Sequence, residues 1–305
     1  MNAGALSLGA TLYMPCTRTD LAARLFGSAR IPDLRSVVLC LEDAVLERDL
    51  PTALMNLAGL LRTADARGRG PADPMIFVRP RDAAMLARIL LMPGVGCLTG
   101  YVLPKANADT LPSYLALSIP EGQMLMPTLE TREACDPYEM RRLRDQLLAV
   151  QDRILALRIG GNDLMQSMGL RRPPGRTAYD GPLGTVIAML VATFSPWGFS
   201  LSAPVMERFG DTALLRREVA RDIDHGLLTK TAIHPDQIAI IQTALAVPAC
   251  DVEEARLILD PAGPAVFAQG GVMCEPATHR VWAERLIARA EVFGVVDGLP
   301  LYQRA

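Results

Sequence analysis

Two stretches of this chain bring an apolar run to a turn-forming residue and then to a carboxylate. In Leu157-Arg158-Ile159-Gly160-Gly161-Asn162-Asp163-Leu164 the run meets two glycines before Asp163. In Met124-Leu125-Met126-Pro127-Thr128-Leu129-Glu130 it passes a proline and closes on Glu130. Carboxylates delivered by successive buried strands converge on one face of a sheet or barrel. Two carboxylates, completed by substrate oxygens and water, are the usual cradle for Mg²⁺, which gives up its hydration reluctantly. Either residue alone could cap a helix or pair with an arginine; together they favour a hard-cation site.

Other apolar runs end in chemistry as well. Ser36-Val37-Val38-Leu39-Cys40-Leu41 runs into Glu42-Asp43, Met75-Ile76-Phe77-Val78 into Arg79, and Leu103-Pro104 into Lys105, while Thr231-Ala232-Ile233 leads to His234. Arg79 is expected to be a fork for a substrate carboxylate or a developing enolate oxygen. Glu42 and Asp43 are expected to divide their work. One would orient water or the outer shell of the metal, and the other would hold an arginine or a backbone N–H. Lys105 and Lys230 are the only lysines in a chain whose positive charge is otherwise arginine. Both are expected at an active-site rim. Lys105 has two readings: a neutral amine forming a Schiff base, or a charged tether for Glu42, Asp43 or Glu130. The carboxylate-rich surroundings argue for the tether. His234 is expected to be a hydrogen-bonded structural residue, with His225 and His279 still less suited to catalysis.

The elements that must position these groups follow from hydrophobic period and punctuation. Strands are expected at 11–15, 36–41, 75–78, 98–103, 124–129, in the run opening at Leu157, at 198–201 and at 229–235. Helices are expected between them, over 51–64, 82–92, 110–117, 131–150, 183–191, 212–225 and 237–245. Arg171-Arg172-Pro173-Pro174-Gly175-Arg176 is expected to overhang the strand ends as a loop or lid. Near-continuous apolar strands alternating with helices imply a parallel sheet with right-handed crossovers. Eight such units suit a closed (β/α)8 barrel, whose chemistry lies at the carboxyl ends of its strands. An open doubly wound sheet would want a GxGxxG turn after its first strand, and Pro15-Cys16-Thr17-Arg18 is not one. The barrel is expected over 1–245, with a C-terminal helical extension over 246–305 and a loop near Gln269-Gly270-Gly271 that packs on a neighbouring subunit.

Composition excludes several classes of function. The chain has 305 residues, is 50% hydrophobic and carries a formal net charge of −2, so no basic field for nucleic acid exists. Six cysteines, with no CxxC pair, read as reduced and structural and not as a zinc site. The start lacks a basic secretory signal, and no apolar run is long enough to span a bilayer, so a soluble cytoplasmic protein is expected.

Taken together, the strand ends resemble the HpcH/HpaI aldolase and citrate lyase β-subunit family. The matching pieces are Leu12-Tyr13-Met14-Pro15, Leu41-Glu42-Asp43-Ala44-Val45, Val78-Arg79, Leu103-Pro104-Lys105, Leu129-Glu130-Thr131, Ile159-Gly160-Gly161-Asn162-Asp163-Leu164 and Lys230-Thr231-Ala232-Ile233-His234-Pro235-Asp236-Gln237-Ile238. The resemblance implies a Mg²⁺-dependent carbon–carbon lyase on a TIM barrel, assembled as a trimer or a dimer of trimers. It makes Glu130 and Asp163 metal ligands and puts Arg79 against the substrate's acyl or carboxylate oxygens. Members acting on acyl thioesters bring an acidic residue of a Gly-Lys-Met-Ile-Asp tail motif into a neighbour's site. Here Gly271-Val272-Met273-Cys274-Glu275 stands in that place, with Glu275 for the aspartate and Val272 for the lysine. Gly9-Ala10 stands where many relatives carry an arginine pair. Both departures touch parts associated with a CoA or carrier thioester and leave the metal site intact.

The reaction implied is cleavage of a hydroxy or keto acid, or its acyl-CoA thioester, with Arg79 holding the enolate and Glu275 returning a proton. Two other readings stay open: a metal-free Schiff-base aldolase using Lys105, and an accessory barrel that keeps its metal pocket without turnover.

Overall fold

The computed structural model describes residues 3–298. Its centre is an eight-stranded parallel sheet in the order β7-β6-β5-β4-β3-β2-β1-β8. The strands are β1 (Ala10–Pro15), β2 (Ser36–Cys40), β3 (Met75–Arg79), β4 (Gly100–Leu103), β5 (Met124–Leu129), β6 (Leu157–Ile159), β7 (Leu201–Ser202) and β8 (Lys230–Ala232). β1 pairs with β8 through Ala10↔Lys230 to Leu12↔Ala232. Between β7 and β8 the connection thins to the single bridge Ala203↔Lys230, which closes the sheet into a barrel.

Alternation along each strand sorts side chains into two cores. Val37, Leu39, Ile76, Val78, Leu125 and Leu129 face outward and pack under the helices. Val38, Phe77, Val102 and Met126 face inward, where Ala5 and Leu8 join them. The barrel floor is therefore filled mostly with apolar side chains, with the hydroxyls of Thr11 and Ser36 hydrogen-bonded to each other among them, and the charged groups at the mouth lie above.

Several boundaries differ from expectation for identifiable reasons. The helix expected over 131–150 is two elements, a 3₁₀ turn at Arg132–Cys135 and a helix at Pro137–Leu148. Asp136 sits in extended backbone and its side chain caps Tyr138 N–H, so Pro137 starts a helix where its missing N–H costs nothing. β7 begins later than expected because Gly198, at φ +85°, ends the preceding 3₁₀ turn. The tail holds a hairpin as well as helices: Phe267–Gln269 pairs with Val272–Cys274. Gly270 and Gly271 both take positive φ, as a two-residue hairpin turn of this kind requires. The helices Ala249–Leu259 and Pro276–Phe293 enclose a separate apolar cluster around Val252, Ile258 and Ala283.

Lys230 overturns its expectation. It lies at the start of β8, away from the rim, and is 1% exposed. Its Nζ donates to Pro204 O at 2.8 Å and lies 3.0 Å from Glu218 Oε1 and 2.9 Å from Asp222 Oδ2. Glu218 also accepts from Arg172 at 2.6 Å, and Asp222 from the Tyr179 hydroxyl at 2.5 Å. This buried network fastens the helix Thr212–Asp224 and the 171–176 loop to the strand where barrel pairing is thinnest. The loop is thus bolted through Arg172 instead of free to act as a lid. Lys230→Met would strand two buried carboxylates and is expected to lower stability by about 3–5 kcal/mol, read from the urea midpoint. A loss below about 1 kcal/mol would mean the network is not the clasp.

Candidate active site

Glu130 follows the last residue of β5, and its side chain is 3% exposed at the barrel mouth. Gly160 follows β6 and donates its N–H to Leu129 O at 3.0 Å. A Cβ at Gly160 would lie 2.3 Å from Glu130 Cβ and 2.5 Å from its Oε2. The glycine is there because the carboxylate occupies the space. Lys105 N–H donates to Glu130 Oε1 at 2.8 Å. It does so from a backbone φ of +50°, uncommon for a residue with a side chain. Backbone strain at this turn accompanies a hydrogen bond to the buried carboxylate.

Arg79 stands among three acids. Its Nη2 donates to Glu130 Oε1 at 2.9 Å, lies 2.8 Å from Glu42 Oε2 and is 3.3 Å from Asp43 Oδ2. Burial works against its charge, but Glu130 and Glu42 hold it protonated. Glu42, buried, accepts from Lys105 Nζ at 2.7 Å and from Asp43 N–H at 2.7 Å. Glu42 is therefore the holder of the pair and Asp43, half exposed, the one left facing solvent. Burial raises Glu42. For Asp43 burial pulls the same way, but the hydrogen bond with Glu42 and the charges of Arg79 and Lys105 prevail and lower it. Lys105 lies above the ordinary lysine range, chiefly through its bond to Glu42. A Schiff-base lysine needs the opposite shift.

Asp163 sits in the first turn of the helix Gly161–Ser167, just past the strand. It makes no ion pair among the described residues. Burial raises its carboxyl, and the charge of Asp43 adds to that. Burial pushes Glu130 up to about 7, with Arg79 opposing and Asp163 adding. The four acids Glu42, Asp43, Glu130 and Asp163 outnumber the cations about them, Arg79, Lys105 and, in the same cavity, Arg158. A hard divalent cation fits that surplus and the all-oxygen donors. No group of three or more His, Cys, Asp or Glu that could hold a metal occurs among the described residues. Two protein ligands with the remainder from substrate and water is the Mg²⁺ pattern.

Asp43, Arg79, Glu130 and Asp163 line one cavity of about 530 Å³, with Tyr13, Arg158 and Thr231 also on its walls, while Glu42 and Lys105 line an adjoining hollow that shares Asp43. A hollow of about 580 Å³ beside Arg30, Asp33 and Gln242 contains none of the acids, so volume does not locate the chemistry. Glu275 is not brought to the cavity within one chain. It precedes the helix Pro276–Phe293, donates its N–H to His279 Nδ1 at 3.1 Å and lies 3.4 Å from Thr278 Oγ1. His234 stacks on Phe209 at 4.8 Å and accepts from Asp236 N–H at 3.3 Å, outside the cavity. The sequence reasoning missed Arg158. Its signal was present: an arginine at the middle of a run otherwise buried on both faces.

The comparisons agree with this fold. The model of carbon–carbon bond lyases of the TIM-barrel fold matches residues 2–295. Two proteins of Cereibacter sphaeroides, both called (3S)-malyl-CoA thioesterase, are 29% and 26% identical over 287 residues, covering 92% of this chain and 93% of theirs. The Mycobacterium tuberculosis protein CitE, solved with magnesium, acetoacetate and coenzyme A, superposes with a TM-score of 0.67 at 23% identity, over 94% of this chain and 99% of that one. The citrate lyase β subunit of the same organism, with oxaloacetate and magnesium, gives a TM-score of 0.55 at 24% identity, over 79% and 97%. These structural likenesses speak for the fold. The family match over nearly the whole chain goes further: this protein belongs to the carbon–carbon bond lyases of the TIM-barrel fold.

Proposed function

We propose that the chain is a Mg²⁺-dependent carbon–carbon lyase acting on a small hydroxy acid or its acyl thioester. The observation that carries this is Glu130 beside Asp163 on adjacent strand exits, lining one cavity with Arg79 bound to Glu130. Magnesium in the related structures, and the malyl-CoA and coenzyme A in the names of relatives, support the same class.

Glu130 and Asp163 would hold the ion, which when bound polarises substrate oxygens as a Lewis acid. Arg79 is fixed by Glu42, stays charged, and has a buried Nε without a partner. It is placed to take the developing enolate oxygen. Asp43, ionised and open to the cavity, is the acceptor for the substrate hydroxyl proton. Lys105 keeps Glu42 charged and in place. In this reading Glu275 serves a neighbouring subunit's cavity as proton donor. Exposed Val272, Met273, Val281 and Trp282 on the tail favour such a homo-oligomer.

Purified protein is expected to cleave a β-hydroxy acid or its thioester with Mg²⁺ and to stop in chelator. Glu130→Gln should abolish turnover, and Arg79→Lys should lower kcat by about 10²–10³. Product analysis separates bond cleavage from simple thioester hydrolysis, and full activity in chelator would defeat the proposal. Borohydride with substrate should leave no adduct on Lys105.

Stability of the metal-free protein should depend on Glu130. Its carboxyl keeps a proton up to about 7 in the folded chain, against an ordinary 4.5. Between those values the folded state binds more protons than the unfolded state, so stability falls as pH rises, by about 3 kcal/mol at most. Urea midpoints at acid and neutral pH in chelator should show the slope. Mg²⁺ or Glu130→Gln should flatten it, and an unchanged slope in Glu130→Gln would assign it elsewhere.

A further inference from the structure

A carbon–carbon lyase must place a proton on carbon once the bond has broken, and most groups in this cavity have none to give. Asp43 accepts a proton in the proposed reaction, and Arg79 and Lys105 are held charged by carboxylates. No histidine lines the cavity, and neither does Glu275 of the same chain.

Tyr13 is the cavity group left over. In register with Val38 of the inner core, it turns into the barrel and lies partly buried on the wall shared by Asp43, Arg79, Glu130 and Asp163. Its hydroxyl has no hydrogen-bond partner among the described residues, and it is not sealed in the core as the Tyr101 hydroxyl is. The Arg158 guanidinium lies 5.2 Å from the centre of the Tyr13 ring. Arg158, 1% exposed, has neutral partners, Thr231 Oγ1 at 2.6 Å and Thr11 Oγ1 at 3.5 Å. No carboxylate pairs with it among the described residues, so its charge is unspent beside the phenol.

Acidity separates Tyr13 from the other hydroxyls there. Thr128 and Thr231 are alcohols, far weaker acids than a phenol of ordinary pKa about 10. Burial pushes the Tyr13 phenol up, with Arg158 and Arg79 pulling it back, so it keeps its proton at neutral pH. Once that proton has gone, the Arg158 charge favours the phenolate left behind.

We propose that Tyr13 is the acid that protonates the enolate carbon, with Arg158 holding the phenolate that results. The inference rests on the lyase reading of the cavity. The substrate's hydroxyl proton passes to Asp43, and the electron pair of the breaking carbon–carbon bond enters the enolate. The enolate carbon forms its new C–H bond with the phenolic proton, and the O–H pair stays on oxygen. Water carries the proton from Asp43 back to the phenolate, which restores both groups. Glu275 of a neighbouring subunit feeds this exchange and does not touch carbon.

The carbon–hydrogen step can be watched alone, in both directions, as exchange of the methyl protons of pyruvate in D₂O with Mg²⁺ and the intact protein. Tyr13→Phe keeps the ring and should slow this exchange, followed by NMR, by about a hundredfold or more. Pyruvate affinity, measured by calorimetry, should not change. Tyr101→Phe, which removes a core hydroxyl, should exchange as the intact protein does, and Glu275→Gln should slow exchange less than Tyr13→Phe. A Tyr13→Phe protein that exchanges normally, or that loses pyruvate binding in step with exchange, would overturn the proposal. So would exchange lost in Glu275→Gln but kept in Tyr13→Phe, or an intact protein that binds Mg²⁺ and pyruvate without exchange. An intact protein that binds no Mg²⁺ strikes the lyase reading and Tyr13 with it, whereas Mg²⁺-dependent exchange that survives Tyr13→Phe strikes Tyr13 alone.

Discussion

A carboxylate buried at the barrel mouth beside another carboxylate sets the terms for the surrounding structure. Away from water, like charges repel strongly, and an unpaired charge is expensive. The chain answers the Glu130 problem with several separate devices. Gly160 leaves room for it, Lys105 bends its backbone to donate an N–H, and Arg79 lies against both of its oxygens. Glu42 in turn holds Arg79 and Lys105. Negative charge still remains once these contacts are made, and that residue of charge is what the proposed cation would offset.

The two isolated lysines show how one residue type takes opposite roles in one chain. Lys105 stands half exposed on the rim, paired with Glu42, and belongs to the site. Lys230 is sealed with Glu218 and Asp222 where β7 and β8 scarcely pair. A closed network of paired opposite charges of this sort holds elements together. Arg158 differs from both: it is as deeply buried as Lys230, yet its surroundings supply only hydroxyls, a sulfur and a ring.

Much of the architecture was legible in the chain because buried parallel strands leave a strong trace. Short apolar runs recur between helical patterns, and most end in a polar group at the place where the barrel opens. Glu42, Asp43, Arg79, Lys105 and Glu130 could be listed from those endings alone, and Asp163 from the glycines before it. Local chemistry misled where a proline or glycine moved a boundary, as at Asp136-Pro137 and Gly198, and where two glycines made a hairpin in the tail.

The order of strands and helices, the apolar floor and the identity of the acids at the mouth were determined by the sequence itself. Period and punctuation are properties of neighbouring residues, and neighbours are what a sequence records. Tertiary structure alone decided which charges are neutralised. Glu218 and Asp222 reach Lys230 from a different element, Glu42 reaches Lys105 across two strands, and no acid among the described residues pairs with Arg158. Those partners come from separate elements, 12 residues apart for Glu218 and Lys230 and 63 for Glu42 and Lys105, and Coulomb energy depends on distance in space and on the water excluded between charges. Neither quantity is written in the order of the residues.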